Sequence, residues 1–133
     1  MAEQDLILFA SEEWAEAFAR AINSNEKIAK EARGFNATVE WVIQGAGERG
    51  DLKFWTDIGD GKIIELMPGE KEAQFIISGP YSLWKQIAEG EVDPLESIID
   101  KRMSFEGDLP MLMRYMGMMD SLMETVMSIP TRF

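Results

Sequence analysis

Residues 35–43, Phe-Asn-Ala-Thr-Val-Glu-Trp-Val-Ile, decide how this chain folds. Phe35, Ala37, Val39, Trp41 and Ile43 recur at every second position, with Asn36, Thr38 and Glu40 between them. Successive side chains of a strand point to opposite faces, so this alternation predicts a half-buried β-strand. The residues before it follow a different period. Ser11 is a natural N-cap, and Glu12 and Glu13 suit the positive end of a helix dipole. Trp14, Ala17, Phe18, Ala21 and Ile22 then fall on one helical face. A second short helix is predicted over Glu26–Ala32, ending at Gly34. The change from helical to strand period therefore comes at Phe35.

Beyond the glycine-rich stretch Gly45–Gly50, alternation resumes. Leu52, Phe54, Thr56 and Ile58 share one face, and Lys53 and Asp57 the other. Gly59-Asp60-Gly61 reads as a tight hairpin turn. Ile64 and Leu66 continue the apolar face, Pro68-Gly69 turns the chain, and Ala73, Phe75 and Ile77 alternate with Glu72, Gln74 and Ser78. Four strands in close succession predict an antiparallel meander. Pro80 then opens a short helix with Leu83, Trp84, Ile87 and Ala88 on its apolar face, stopping at Gly90. Asp93 caps another, with Pro94 at its first position. Met103 and Phe105 around Ser104 predict a fifth short strand ending at Gly107-Asp108, and Pro110 opens a final helix to about Val126. The expected class is α+β: a five-stranded, mainly antiparallel sheet, made of a four-strand meander plus one late strand, covered by helices. The 133 residues show no repeat or linker, which predicts a single domain over 1–133 with its core at about 11–127.

Composition narrows the function. The chain has no cysteine and no histidine, which excludes disulfides, thiolate nucleophiles and His-containing triads. No metal site, cofactor or catalytic residue is expected. Twenty-four acidic residues against 13 basic give a net charge of −11. Attraction of Lys and Arg to phosphate drives binding to nucleic acid and to anionic membranes. Nucleic acid is therefore excluded as a main partner, and membrane contact is expected to be transient at most. The acidic start Met1-Ala2-Glu3-Gln4-Asp5 and the short apolar stretch Leu6–Ala10 do not form a signal peptide, and the expected location is the cytoplasm.

Several motifs invite chemistry. Gly45-Ala46-Gly47-Glu48-Arg49-Gly50 matches the spacing of a dinucleotide-binding loop. Such a loop must open a helix whose N–H groups meet the pyrophosphate, whereas here a strand follows, so a hairpin loop is expected. Asp57 and Asp60 flank a turn, and Asp93, Glu96 and Asp100 lie near one helix. These acids are read as caps and solvated surface. The most unusual feature is methionine: seven of the ten lie between Met111 and Met127. At helical spacing Leu112, Tyr115, Met116, Met119, Leu122, Met123 and Val126 share a face, leaving Arg114, Gly117, Asp120, Ser121, Glu124 and Thr125 opposite. Methionine is flexible and polarisable, so such a face can be core, the wall of a deformable cavity, or an interface with a second copy.

The order and spacing of elements resemble the sterol-carrier-protein-2 (SCP2) family. The local match is best from Gly79 to Asp108: Leu83-Trp84 and Ile87, then Gly90, Asp93-Pro94, Ile98 and Arg102-Met103-Ser104-Phe105-Glu106-Gly107-Asp108. Lys101 stands where that family usually has glycine. The resemblance implies an apolar tunnel between sheet and helices that binds fatty acids, acyl-CoA, sterols or isoprenoids without transforming them. On that reading the pocket residues are Phe75, Trp84, Phe105, Leu112, Met116, Met119 and Met123, with Arg102 or Arg114 available to a carboxylate head. The alternatives are a protein-interaction or homodimerisation module using the Met-rich helix, or an accessory subunit presenting a lipid or quinone substrate to an enzyme.

Overall fold

The computed structural model describes residues 6–69 and 71–133, with the side chain of Met116 outside that description. Two helices precede the sheet: α1 (Glu12–Asn23) and α2 (Glu26–Glu31). Ser11 Oγ accepts from Trp14 N at 3.1 Å, and Asn25 Oδ1 accepts from Lys27 N and Ile28 N, so both helices start on side-chain caps. The sheet comprises β2 (Ala37–Gln44), β3 (Leu52–Gly59), β4 (Lys62–Pro68), β5 (Phe75–Pro80) and β6 (Ser104–Glu106). Helices α3 (Tyr81–Ala88) and α4 (Pro94–Ile99) lie between β5 and β6, and α5 (Leu109–Met113) and α6 (Met116–Ser128) follow. Two short strands at the chain ends, β1 (Ile7–Leu8) and β7 (Thr131–Arg132), pair in parallel.

The predicted class holds, but the four-strand meander does not. Strand order is β4-β3-β2-β5-β6, and β5 lies parallel to β2, with Trp41 level with Ile77. The meander has three strands, and the connection after Pro68 crosses β3 and β2 to reach the far side. Alternation fixes the face a side chain takes but not its neighbouring strand, so Phe75 and Ile77 read the same either way. Lys71, in the crossing segment, places its ammonium 4.0 Å above the Trp55 ring. The indole N–H of that tryptophan is buried without a hydrogen-bond partner among the described residues. At the segment's end Gln74 and Thr38 exchange hydrogen bonds of 2.9 and 3.2 Å.

A second correction concerns β4. Pairing shifts between Asp57, opposite Glu65, and Ile58, opposite Ile63. Ile64 is the extra residue of a bulge and is 67% exposed, while Ile63 is buried in its place. Asn23 at the end of α1 fixes this shift: its Nδ2 donates to Ile63 O at 2.9 Å and its Oδ1 accepts from Ile63 N at 2.8 Å. The preceding turn is a hairpin turn as predicted, with Asp60 and Gly61 both at positive φ. A Cβ at Gly61 would press on Ala32, which keeps α2 close to the turn.

The final helix is broken. Tyr115, with φ −113° and ψ 38°, separates α5 from α6, and its ring meets Phe35 edge-on at 4.9 Å. The break turns α6 so that the small polar residues expected on its outer arc face α2. Ser121 is 1% exposed and donates to Glu31 Oε1 at 3.0 Å. Thr125 accepts from Asn25 Nδ2 at 2.9 Å. Packing also extends beyond residues 11–127, because Phe9 and Ile129 are buried and the termini pair.

Two substitutions test these features. Asn23→Ala removes both bonds to Ile63 and should lower stability by about 1–3 kcal/mol in urea unfolding. Lys101 has φ of 64°, the left-handed region that glycine occupies at no steric cost. Lys101→Gly should therefore raise stability, by up to about 1 kcal/mol in the same measurement. A fall in stability would show that Lys101 makes a compensating contact.

Candidate functional site

The inward face of the sheet does not pack fully against the helices. Between them is a cavity of about 180 Å³. Its sheet wall is aromatic. Trp41 of β2 lies 6.3 Å from Phe18 of α1 and 6.2 Å from Trp84 of α3, measured between ring centroids, and Phe18 stacks on Trp14 at 5.5 Å. Toward the other end Phe75 lies 6.3 Å from Phe35 and 5.7 Å from Phe105. Such pairs brace one another in edge-on, tilted or stacked geometries. The opposite wall comes from α5 and α6: Leu112, Met118, Met119, Leu122, Met123 and Val126.

Thr56 contributes the single polar side chain, other than the indoles, among the described lining residues. It is 1% exposed, and its hydroxyl is committed. Oγ1 accepts from Trp41 Nε1 at 3.0 Å and donates to Val39 O at 3.4 Å. The indole N–H of Trp84 donates to Val42 O at 3.0 Å. Both indole rings therefore offer apolar surface to the space while their polar atoms bond to the sheet.

The structure brings six of the seven expected pocket residues to this one space: Phe75, Trp84, Phe105, Leu112, Met119 and Met123. The side chain of the seventh, Met116, lies outside the described residues. Neither arginine offered to a carboxylate head lines the cavity. Arg102 pairs with Asp100 at 3.3 Å, and Arg114 is exposed. Phe18, Phe54 and Met103 also line the space and were not among the expected pocket residues. Phe18 was visible on the apolar stripe of α1, but an apolar stripe does not tell core from cavity wall.

The other motifs take structural roles. Gly45–Gly50 forms the β2–β3 hairpin loop with a single 3₁₀ turn over Gly47–Arg49, and Gly45 N donates to Asp51 Oδ1 at 2.9 Å. Asp93 caps α4, and Asp60 accepts from Gly34 N at 2.7 Å. Among the described residues no group of three or more acidic side chains could hold a metal ion, and no helix is long and apolar enough to cross a membrane.

This arrangement of sheet, helices and apolar space has relatives. The model of the SCP-2 sterol transfer family matches residues 16–120. The chain belongs to that family. Among solved structures, a crystal structure of sterol carrier protein 2 superposes with a TM-score of 0.83 at 21% identity, covering 91% of this chain and 98% of the other. A conserved hypothetical protein from Thermus thermophilus also gives 0.83, at 22% identity, covering 96% and 92%. Palmitated SCP2L2 from Aedes aegypti gives 0.54 at 11% identity, covering 88% and 97%. No curated protein matches in sequence. The SCP2 fold and family place the chain among lipid-binding and lipid-transfer domains in general.

The committed hydroxyl of Thr56 gives the test of this geometry. Thr56→Val keeps the shape but leaves the Trp41 N–H without its partner. The expected result is a loss of about 1–3 kcal/mol and a shift in tryptophan emission. An unchanged stability would show that the bond contributes nothing net.

Proposed function

We propose that this domain is a non-catalytic carrier that holds an apolar, lipid-like ligand between its sheet and α6. The carrying observation is the apolar cavity itself. Native interiors are close-packed, so an apolar space of about 180 Å³ between sheet and helices is room for an apolar guest. Apolar burial adds roughly 0.8 kcal/mol per CH₂ group.

Proposed contact residues are Phe75, Trp84, Phe105, Leu112, Met119 and Met123, with Met116 beside them in sequence. The cavity is close in size to the roughly 150 Å³ void that takes up benzene, so a fatty acyl, isoprenoid or sterol-like group must displace part of the wall. The aromatic wall is held by hydrogen bonds and ring contacts, whereas methionine side chains change rotamer readily. Met118, Met119 and Met123 are the residues that give way. Their place at the cavity wall supports the carrier reading over one in which they form an interaction face.

Native mass spectrometry of freshly purified protein, paired with organic extraction, tests the proposal. Stoichiometric lipid is expected in both. Met119→Asp combined with Met123→Asp should lower lipid retention by at least about tenfold while circular dichroism stays native, because each carboxylate must keep its water. A folded double variant that retains lipid at the unsubstituted level would remove this wall from the site. Protein that is empty and takes up neither fatty acids nor isoprenoids would end the carrier reading.

A further inference from the structure

Resting on the carrier reading, we infer that Phe9 closes one end of the cavity and so sets the length of ligand chain the domain holds. Its ring is 3% exposed and lines the cavity. On the inner side it meets Trp14, another lining residue, edge-on at 5.0 Å. It also meets Tyr81 at 5.8 Å and Phe133 at 5.3 Å. These two stand outside the lining, and Phe133 is 37% exposed. One ring therefore separates the apolar space from residues at the surface.

The short apolar stretch that carries Phe9 is held along its length. Ile7 N donates to Pro130 O at 2.9 Å, and Phe9 N to Arg132 O at 2.8 Å. Phe9 O accepts from Arg49 Nη2 at 3.0 Å, so both backbone polar groups of this residue are bonded. Ser11 Oγ donates to Leu8 O at 2.8 Å. Between Phe9 and the cap of α1, Ala10 is 4% exposed and has φ of 61°. That left-handed conformation is costly for a residue with a Cβ and persists only where its surroundings hold it. A lengthening ligand chain therefore meets two different boundaries. The methionines of α6 yield by changing rotamer. Phe9 is fixed by its backbone bonds and by the rings packed against it. A chain growing toward it gains burial with each methylene until it reaches this ring, and further carbons gain nothing.

The experiment titrates n-alkanols and n-alkanoates of about 8 to about 18 carbons, below their micelle concentrations, into delipidated protein. Emission from Trp41 and Trp84 at the cavity wall reports occupancy. In a series that binds, affinity should rise about fourfold per methylene up to a limiting length and then level off. Phe9→Ala, checked for native circular dichroism, should move that limit up by at least about two carbons. Phe9→Leu leaves a smaller gap and is the variant to read if the alanine variant does not fold. Its limit should move the same way by about one carbon. Lost stability alone lowers affinity at every chain length and leaves the limit in place. An unchanged limit in the folded variants, or no limit in the unsubstituted protein, would overturn the inference and leave the carrier reading standing. Faster ligand exchange at an unchanged limit would make Phe9 an entrance and overturn it as well. Failure of every chain in both series to bind would defeat the carrier reading itself.

Discussion

Trp41 holds the middle of this structure together, and the other elements are arranged around it. It sits on the central strand β2, facing the helices. Its N–H is bonded to Thr56 on β3, and its ring lies between Phe18 of α1 and Trp84 of α3. One side chain thus joins two strands and two helices. Bonding the indole N–H and covering part of a ring of this size both stabilise the arrangement. Through Phe18 and Trp84 the same ring is packed against α1 and α3. Space remains unfilled below, which α5 and α6 close with methionine.

The two walls of that space differ in kind. Aromatic rings have few rotatable bonds, and here they brace each other from Trp14 through Phe18 and Trp41 to Trp84, and from Phe35 through Phe75 to Phe105. The methionines of α6 are unbranched, with several rotatable bonds each, and lack such bracing. A fixed wall facing a compliant one suits ligands of one broad chemistry and varied shape.

Helix α6 can be compliant inward because it is held from outside. Asn25 bonds Thr125, and Glu31 bonds Ser121, both across the α2–α6 contact. These bonds are directional and fix the helix axis, while the apolar side adjusts by rotamer alone. The pairing of β1 with β7 adds a second tie, reinforced by the bond from Trp14 Nε1 to Thr131 Oγ1 at 3.0 Å. Acidic side chains take part in the α2–α6 contact: besides Glu31, Glu124 of α6 pairs with Lys27 of α2 at 3.7 Å.

Periodicity and punctuation determined most elements by themselves. The alternation over residues 35–43, the caps at Ser11 and Asp93 and the hairpin at Asp60-Gly61 are local facts, set by backbone geometry and by hydrogen bonds within a few residues. Inward faces followed from the same alternation, which is why Phe75 and Phe105 were legible as candidates for the site. What came only with the tertiary structure depends on partners distant in sequence. The parallel β2–β5 pair arises because a strand's pattern names its face and not its neighbour. The bulge that exchanges Ile64 for Ile63 is held by Asn23, 40 residues away. The break between α5 and α6 at Tyr115, whose ring meets Phe35, and the packing of Ser121 and Thr125 against α2 also depend on distant partners. A sequence states which residues avoid water; whether they meet one another or leave a space between them is decided when all the elements pack at once.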